Sequence, residues 1–426
     1  MAQVTRRQFT GMMLAGAAAT VAASKGDKIY LRYYYPVGVA GPLAKVMQEM
    51  VDEFNQKHDD VVVEAIYSGD YGPTTQKIIT AVAAKRPPDV AITSMEDLNT
   101  LLAMNALVPL DEFIKQEGGK KFLDDFFPAF LANSLRGGKI WSWPFQRSLP
   151  LFYWNKEQFK EVGLDPNHPP QTWDELRDYA RRLTVREGDA IKRYGVTISG
   201  GWNDWLFEAF VRQVGGQLMD PEGRQITFNS PQALEALDFW VTLSQKDKVM
   251  PPTTTWASTP PDFVTGRTSM LFHSSGILRF VKDSAKFPFG VGFLPKRKDN
   301  GIAVGGGNFY IFKDIPLKNQ KAAWRFAAWM TNPENAARWS IASGYVAVQR
   351  SAYETAAMKE YTGKFPEALV ARDQLKYAHA RMSTANFTKV RLALTAHLDK
   401  ALAGAETPKE ALDRAQQEAL EAAGRR

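Results

Sequence analysis

Ile29-Tyr30-Leu31-Arg32-Tyr33-Tyr34 is aromatic and aliphatic enough for a buried strand, and its place at the head of an alternating series of strands and helices decides the fold. After Gly41, the residues Leu43, Val46, Met47, Met50, Val51 and Phe54 recur at helical spacing, which gives one apolar stripe that must face a core. Val61-Val62-Val63-Glu64-Ala65-Ile66-Tyr67 reads as a second strand ending at Ser68-Gly69-Asp70. A second helix, about Thr75 to Ala84, stops at Arg86-Pro87-Pro88, and Asp89-Val90-Ala91-Ile92 reads as a third strand. Strand, helix and strand in succession predict an α/β fold with a mostly parallel sheet flanked by helices. Ligands of such sheets sit outside the carboxyl ends of the strands. Those ends are Tyr35-Pro36-Val37-Gly38, Ser68-Gly69-Asp70-Tyr71 and Thr93-Ser94-Met95-Glu96.

Further along, Gly137 to Phe145 is extended and a new helical series starts after Asn155-Lys156, which reads as a crossing into a second lobe. Val291 to Pro295 leads through a charged loop to Gly305-Gly306-Gly307, a return crossing. Ala- and Trp-rich helices follow from Lys318, and Pro408 to Ala423 forms a charged helix with Ala411, Ala415, Ala419 and Ala422 along one side. The length of 426 residues suits two domains. Residues 24–147 with 304–352 are assigned to lobe 1, and 148–303 with 353–426 to lobe 2.

Thr5-Arg6-Arg7-Gln8-Phe9 precedes an apolar run from Gly11 to Ala23, the pattern of a twin-arginine signal peptide over residues 1–23 and hence of a periplasmic protein. The run is short of a membrane span. With no cysteine, thiolate catalysis, disulfides and sulfur-ligated metals are excluded. Removing residues 1–23 takes two arginines and no acid, lowering the formal charge from +7 to +5. The remaining basic residues are dispersed, as on a solvated surface, and no nucleic-acid partner is expected. The five histidines show no ligand spacing, so neither a metal nor a cofactor is expected.

The block Pro144-Phe145-Gln146-Arg147-Ser148-Leu149-Pro150-Leu151-Phe152-Tyr153-Trp154-Asn155-Lys156, with Gly163-Leu164-Asp165-Pro166 and Thr172-Trp173-Asp174-Glu175-Leu176 after it, resembles the extracellular solute-binding proteins of ATP-driven importers, the family that includes maltose-binding protein. Trp202-Asn203-Asp204-Trp205, Ser274-Ser275-Gly276, Gly305-Gly306, Gly344-Tyr345 and Arg391 make it most similar to the glycerol-3-phosphate-binding group of that family. The resemblance runs from about Lys28 to the C-terminus. It implies a two-lobed periplasmic-binding-protein fold with a ligand cleft between the lobes. It also implies a monomer without catalytic residues, whose partners are a small polar solute, phosphorylated in that group, and the membrane permease of an ABC importer.

Carried over position by position, the implied binding residues are Tyr71, Glu96, Ser148, Trp202, Trp205, Ser274, Gly306, Tyr345 and Arg391. Their chemistry is consistent with that role. A phosphate wants a permanent cation and several donors, which Arg391, Ser148, Ser274, Tyr345 and the Gly306 N–H supply. A glycerol moiety suits an acceptor such as Glu96 and an indole face from Trp202 or Trp205. Each has a plainer reading. A lone tryptophan is usually core, although two of them three apart beside Ser199-Gly200-Gly201 are hard to bury together. Ser274 also fits a helix N-cap, and Arg391 a surface arginine. Gly305-Gly306-Gly307 fits neither a P-loop nor a dinucleotide fingerprint and reads as a flexible crossing or a close backbone approach.

Two departures bear on specificity. The group usually has a Trp-His-Ser type sequence near the first strand, where this chain has Tyr33-Tyr34-Tyr35-Pro36-Val37, and a small residue before the binding serine is here Arg147. An inward Arg147 favours a larger or more anionic ligand, and an outward one changes little. His273 beside Ser274 is either a further donor or structural. The expected solute is glycerol-3-phosphate, a glycerophosphodiester or a polyol phosphate. A neutral di- or oligosaccharide is the alternative on the same fold. An exported phosphodiester hydrolase is a third reading, but it lacks Gly-x-Ser-x-Gly, His-Glu-x-x-His or an Asp/His cluster to support it.

Overall fold

A computed structural model describes residues 28–424, so the export signal read over residues 1–23 lies outside the described residues. In chain order the strands are β1 (Ile29–Tyr35), β2 (Val61–Tyr67), β3 (Val90–Ser94), β4 (Leu135–Arg136), β5 (Lys139–Ile140), β6 (Trp143–Ser148) and β7 (Pro150–Asn155). They continue with β8 (Val185–Glu187), β9 (Ala190–Ile198), β10 (Thr268–Ser274), β11 (Phe289–Gly292), β12 (Ile302–Ala303), β13 (Gly305–Ile311) and β14 (Ala378–His379).

Two five-stranded sheets result, with orders β2-β1-β3-β13-β6 and β11-β7-β10-β9-β8. In the first, β13 runs against the other four strands. In the second, β9, β10 and β11 share a direction that β7 and β8 oppose. The first helix, Leu43–Lys57, buries Leu43, Met47, Met50, Val51 and Phe54, most of the stripe that its spacing predicts. Residues 68–70 end a strand and start a helix: the Asp70 carboxylate accepts from the Tyr71 N–H at 2.6 Å and caps the helix Tyr71–Ala83. That helix therefore starts earlier than its apolar spacing implied.

Aromatic side chains dominate both cores. Tyr33, Phe309 and Phe326 interlock beneath the first sheet, and Phe210 packs on Phe272 and Trp240 beneath the second. Leu149 alone separates β6 from β7, and Val304 alone separates β12 from β13. The first link carries the chain from one five-stranded sheet to the other, and the second joins β12, outside both, to the first sheet on the way back. A longer seam lies beside them. Tyr353 packs on Phe127, Phe365 on Phe289, and the Gln374 amide bonds Pro150 O and the Leu294 N–H. β14 then pairs with β12. Residues 351–386 thus run along the join between the sheets. Among the described residues no helix is long and apolar enough to cross a membrane.

Candidate functional site

The carboxyl ends of β1 and β3, the start of the helix Tyr71–Ala83 and the crossings face one another across a cleft of about 370 Å³. Its walls are Gly38, Val39, Tyr71, Ser94, Glu96, Ser148, Trp202, Trp205, Trp256, Ser274, Gly306 and Tyr345. Eight of the nine residues that the family resemblance implies are among them. Arg391 is not. It lies beside the cleft, with its guanidinium 4.2 Å over the Trp202 ring and its Nη1 donating to Gly201 O (2.8 Å) and to Asp204 Oδ1 (3.2 Å). Its Nε and Nη2 make no hydrogen bond among the described residues.

Local structure explains the placements. Tyr71 is fixed by the Asp70 cap and donates to Gln146 Oε1 at 2.8 Å. Trp205 is 5% exposed, yet it reaches the cleft because its Nε1 donates to Ala303 O at 2.9 Å on the crossing strand. Trp202 sits edge-on to Tyr71, 6.1 Å between centroids. Ser274 accepts from the Gly276 N–H at 3.0 Å, so it caps a short helical turn while also facing the cleft. Gly306 has φ +99°, and a Cβ there would stand 1.7 Å from Gln146 O, so the crossing strand admits only glycine. At Gly305 a Cβ would meet the Trp205 ring at 2.4 Å. The glycine run is therefore a close backbone approach.

Arg147 turns away from the cleft. It is fully buried above the Phe130 ring, its Nη1 meets Met95 Sδ and Asn308 Oδ1, and its Nε and Nη2 have no partner among the described residues. Burial pulls its pKa down to about 10, with the Glu96 charge opposing. His273 is also buried. Its Nδ1 accepts from the Ser274 N–H at 2.8 Å, so the proton is on Nε2, which faces Trp256 O at 3.1 Å. Burial pushes its pKa down to about 3, and the neutral ring lies 3.7 Å from the Trp256 ring, tilted by 30°.

Two residues of the site escaped sequence reasoning. Trp256, in a Thr- and Pro-rich loop with no periodicity, lines the cleft and donates from Nε1 to Gly38 O at 3.0 Å, across the gap between the sheets. Arg381 lies at the join. Its Nε donates to Glu96 Oε1 at 2.9 Å, Nη2 bonds Asp204 and Nη1 bonds Glu208, all buried. Glu96 belongs to the first sheet's wall, whereas Asp204 and Glu208 belong to the helix Asn203–Gln213 of the other side. Burial works against the Arg381 charge, but the three carboxylates outweigh it and hold the guanidinium firmly protonated. The cleft carboxylate Glu96 is therefore paired before any ligand arrives with a cation that it shares with two other acids.

Asp97, next to Glu96, is pushed up from 3.8 to about 6 by burial, with Glu96 adding to the shift and hydrogen bonds from Thr75 (2.7 Å) and Thr93 (2.9 Å) opposing it. The fold prefers the protonated acid, so this group's contribution to stability falls as the pH rises from 3.8 through 6. Asp97→Asn is expected to stabilise the protein at neutral pH by up to about 3 kcal/mol. The gain should shrink as the pH falls below 6. Thermal melts at neutral pH and near pH 4.5 check this, and a variant less stable at both would contradict it.

Comparison with known proteins agrees with this geometry. The family model described as bacterial extracellular solute-binding protein matches residues 40–337. The chain belongs to that family. Its curated relatives include the sn-glycerol-3-phosphate-binding periplasmic proteins UgpB of Pectobacterium atrosepticum (27% identical, covering 88% of this chain and 87% of that protein) and of Salmonella typhimurium (27%, 88% and 88%). Among solved structures, UgpB from Mycobacterium tuberculosis in complex with glycerophosphocholine superposes with a TM-score of 0.81 at 23% identity, over 91% of this chain and 97% of that one. The cyclic alpha-maltosyl-1,6-maltose binding protein of Arthrobacter globiformis gives 0.76 at 25%, over 93% and 99%. The chain is thus the solute-binding component of an ABC importer, an exported protein that takes a small solute and works with membrane permease subunits. Among the described residues no group of three or more His, Asp and Glu side chains is arranged to hold a metal.

Proposed function

We propose that this protein captures glycerol-3-phosphate, or a related glycerophosphodiester or polyol phosphate, in the cleft between its lobes. It does so as a periplasmic monomer exported by the twin-arginine route. The observation that carries the reading is Arg391, a guanidinium stacked on a cleft tryptophan with Nε and Nη2 unused. A phosphate at the Trp202 edge of the cleft meets that fork, beside the Tyr71 and Ser94 hydroxyl groups, which donate to Gln146 and Glu96. The glycerol hydroxyls then lie among Ser148, Ser274 and Tyr345, with its C–H face against Trp205. The glycerol-3-phosphate-binding relatives support the same class.

A neutral di- or oligosaccharide is the second reading. Three tryptophans and two tyrosines line the cleft, and one structural relative binds a cyclic glucan. A thermal-shift screen of the mature protein separates the two, because a ligand that binds only the native state raises Tm. Glycerol-3-phosphate or glycerophosphodiesters are expected to raise it by several degrees and maltooligosaccharides to leave it unchanged. The opposite pattern would replace the phosphorylated solute with a sugar.

A further inference from the structure

The cleft does not end at Trp202. A narrow passage adjoins it, sharing Tyr71, Ser94 and Trp202 with the cleft and adding Asp97, Phe387 and Arg391. The passage in turn shares Gly72, Thr75 and Thr388 with a third hollow of about 990 Å³ that opens to solvent. Arg391 therefore lines a passage that adjoins the aromatic cleft on one side and a separate chamber on the other.

The chamber has its own chemistry. Gln76, Thr100, Asn386 and Thr388 offer hydroxyl and amide groups, and Lys389 brings a cation. The buried Thr100 hydroxyl has no hydrogen-bond partner among the described residues, which is the signature of a polar atom awaiting one. No carboxylate and no aromatic ring is among the lining residues. A quaternary ammonium wants aromatic faces or a negative neighbour, and here it would meet Lys389 instead. A polyhydroxylated alcohol would find donors and acceptors on several sides. Gln76 and Thr100 belong to the first-sheet side and Thr388 and Lys389 to the other. A group held there would tie the lobes together.

We infer that the chamber is a second subsite, which receives the polyhydroxylated alcohol of a glycerophosphodiester whose phosphate lies at Arg391 and whose glycerol lies in the tryptophan-lined cleft. This deepens the phosphorylated-solute reading and rests on it. The preferred ligand is a diester of glycerol phosphate with a second polyol, such as glycerol or inositol, over the choline diester and over the monoester.

Titration calorimetry on the mature protein tests this with glycerol-3-phosphate, glycerophosphoglycerol, glycerophosphoinositol and glycerophosphocholine. At least one polyol diester is expected to bind tenfold or more tightly than both the monoester and the choline diester. Gln76→Trp, an exposed helical position on the chamber wall, should reduce the ratio of diester to monoester affinity at least tenfold. Thr100→Val, nearly isosteric, should reduce it severalfold and guards against a misfolded first variant. If the monoester binds but the polyol diesters bind no better than it or than the choline diester, the subsite is wrong and the parent reading survives. The same holds if both variants leave the ratio unchanged. If neither the monoester nor any diester binds, the phosphorylated-solute reading fails and the subsite with it.

Discussion

Replacing Arg381 with alanine is expected to destabilise the protein by about 3–5 kcal/mol, more than any other substitution proposed for this chain. The side chain is wholly buried and each branch of its guanidinium meets a different carboxylate, Glu96, Asp204 and Glu208, all of them buried. Removing the cation leaves three acids at the join of the lobes, where Arg391 still pairs with Asp204. Such acids relieve the strain by taking up protons, and burial already raises the Glu208 pKa with Arg381 in place. The folded variant then binds more protons than its unfolded chain, so its stability falls as the pH rises. The deficit should accordingly be greatest near pH 8 and shrink towards pH 5. Melting curves across that range check both the size and the direction. An unchanged Tm would show that the network contributes nothing.

Arg391→Ala is expected to weaken glycerol-3-phosphate binding by roughly a hundredfold, because charge-assisted hydrogen bonds to a phosphate are worth about 1.5–3 kcal/mol each. Folding should be little affected. Asp204 keeps Arg381, and the Arg391 side chain lines the passage rather than the core of either lobe. Arg391→Lys keeps the charge but loses the fork and the flat stacking on Trp202, so it should fall between the two. Calorimetry on the three proteins measures this. Equal affinities in all three would place the anion elsewhere or remove it from the ligand.

The alternation of strand and helix between Ile29 and Ile92 was legible because strand-forming runs and period 3.6 are local properties of a sequence, and three strands of the first sheet follow from such segments. Residues that line the cleft through a resemblance, such as Ser274 and Gly306, also carried local signals: a cap, and a glycine that no other residue replaces. The direction of Arg147 was available but left open. Ser148 faces the cleft, and successive strand residues point to opposite sides, so Arg147 had to face the core. Arg381 could not be found this way. Its partners Glu96, Asp204 and Glu208 lie 285, 177 and 173 residues away, and the segment around it has no period. Trp256 is similar, since its cleft position depends on a carbonyl, Gly38, 218 residues earlier. Pairings between distant loops are set by how the lobes meet, and no local pattern encodes them.

Binding of a phosphorylated glycerol compound between the lobes is tested most directly by titrating glycerol-3-phosphate into the mature protein in a calorimeter. A saturable heat with one site per chain, abolished by excess glycerophosphodiester and undisturbed by maltose, is the predicted result. No heat with any glycerophosphate, together with a saturable heat from maltose or a longer oligosaccharide, would contradict it.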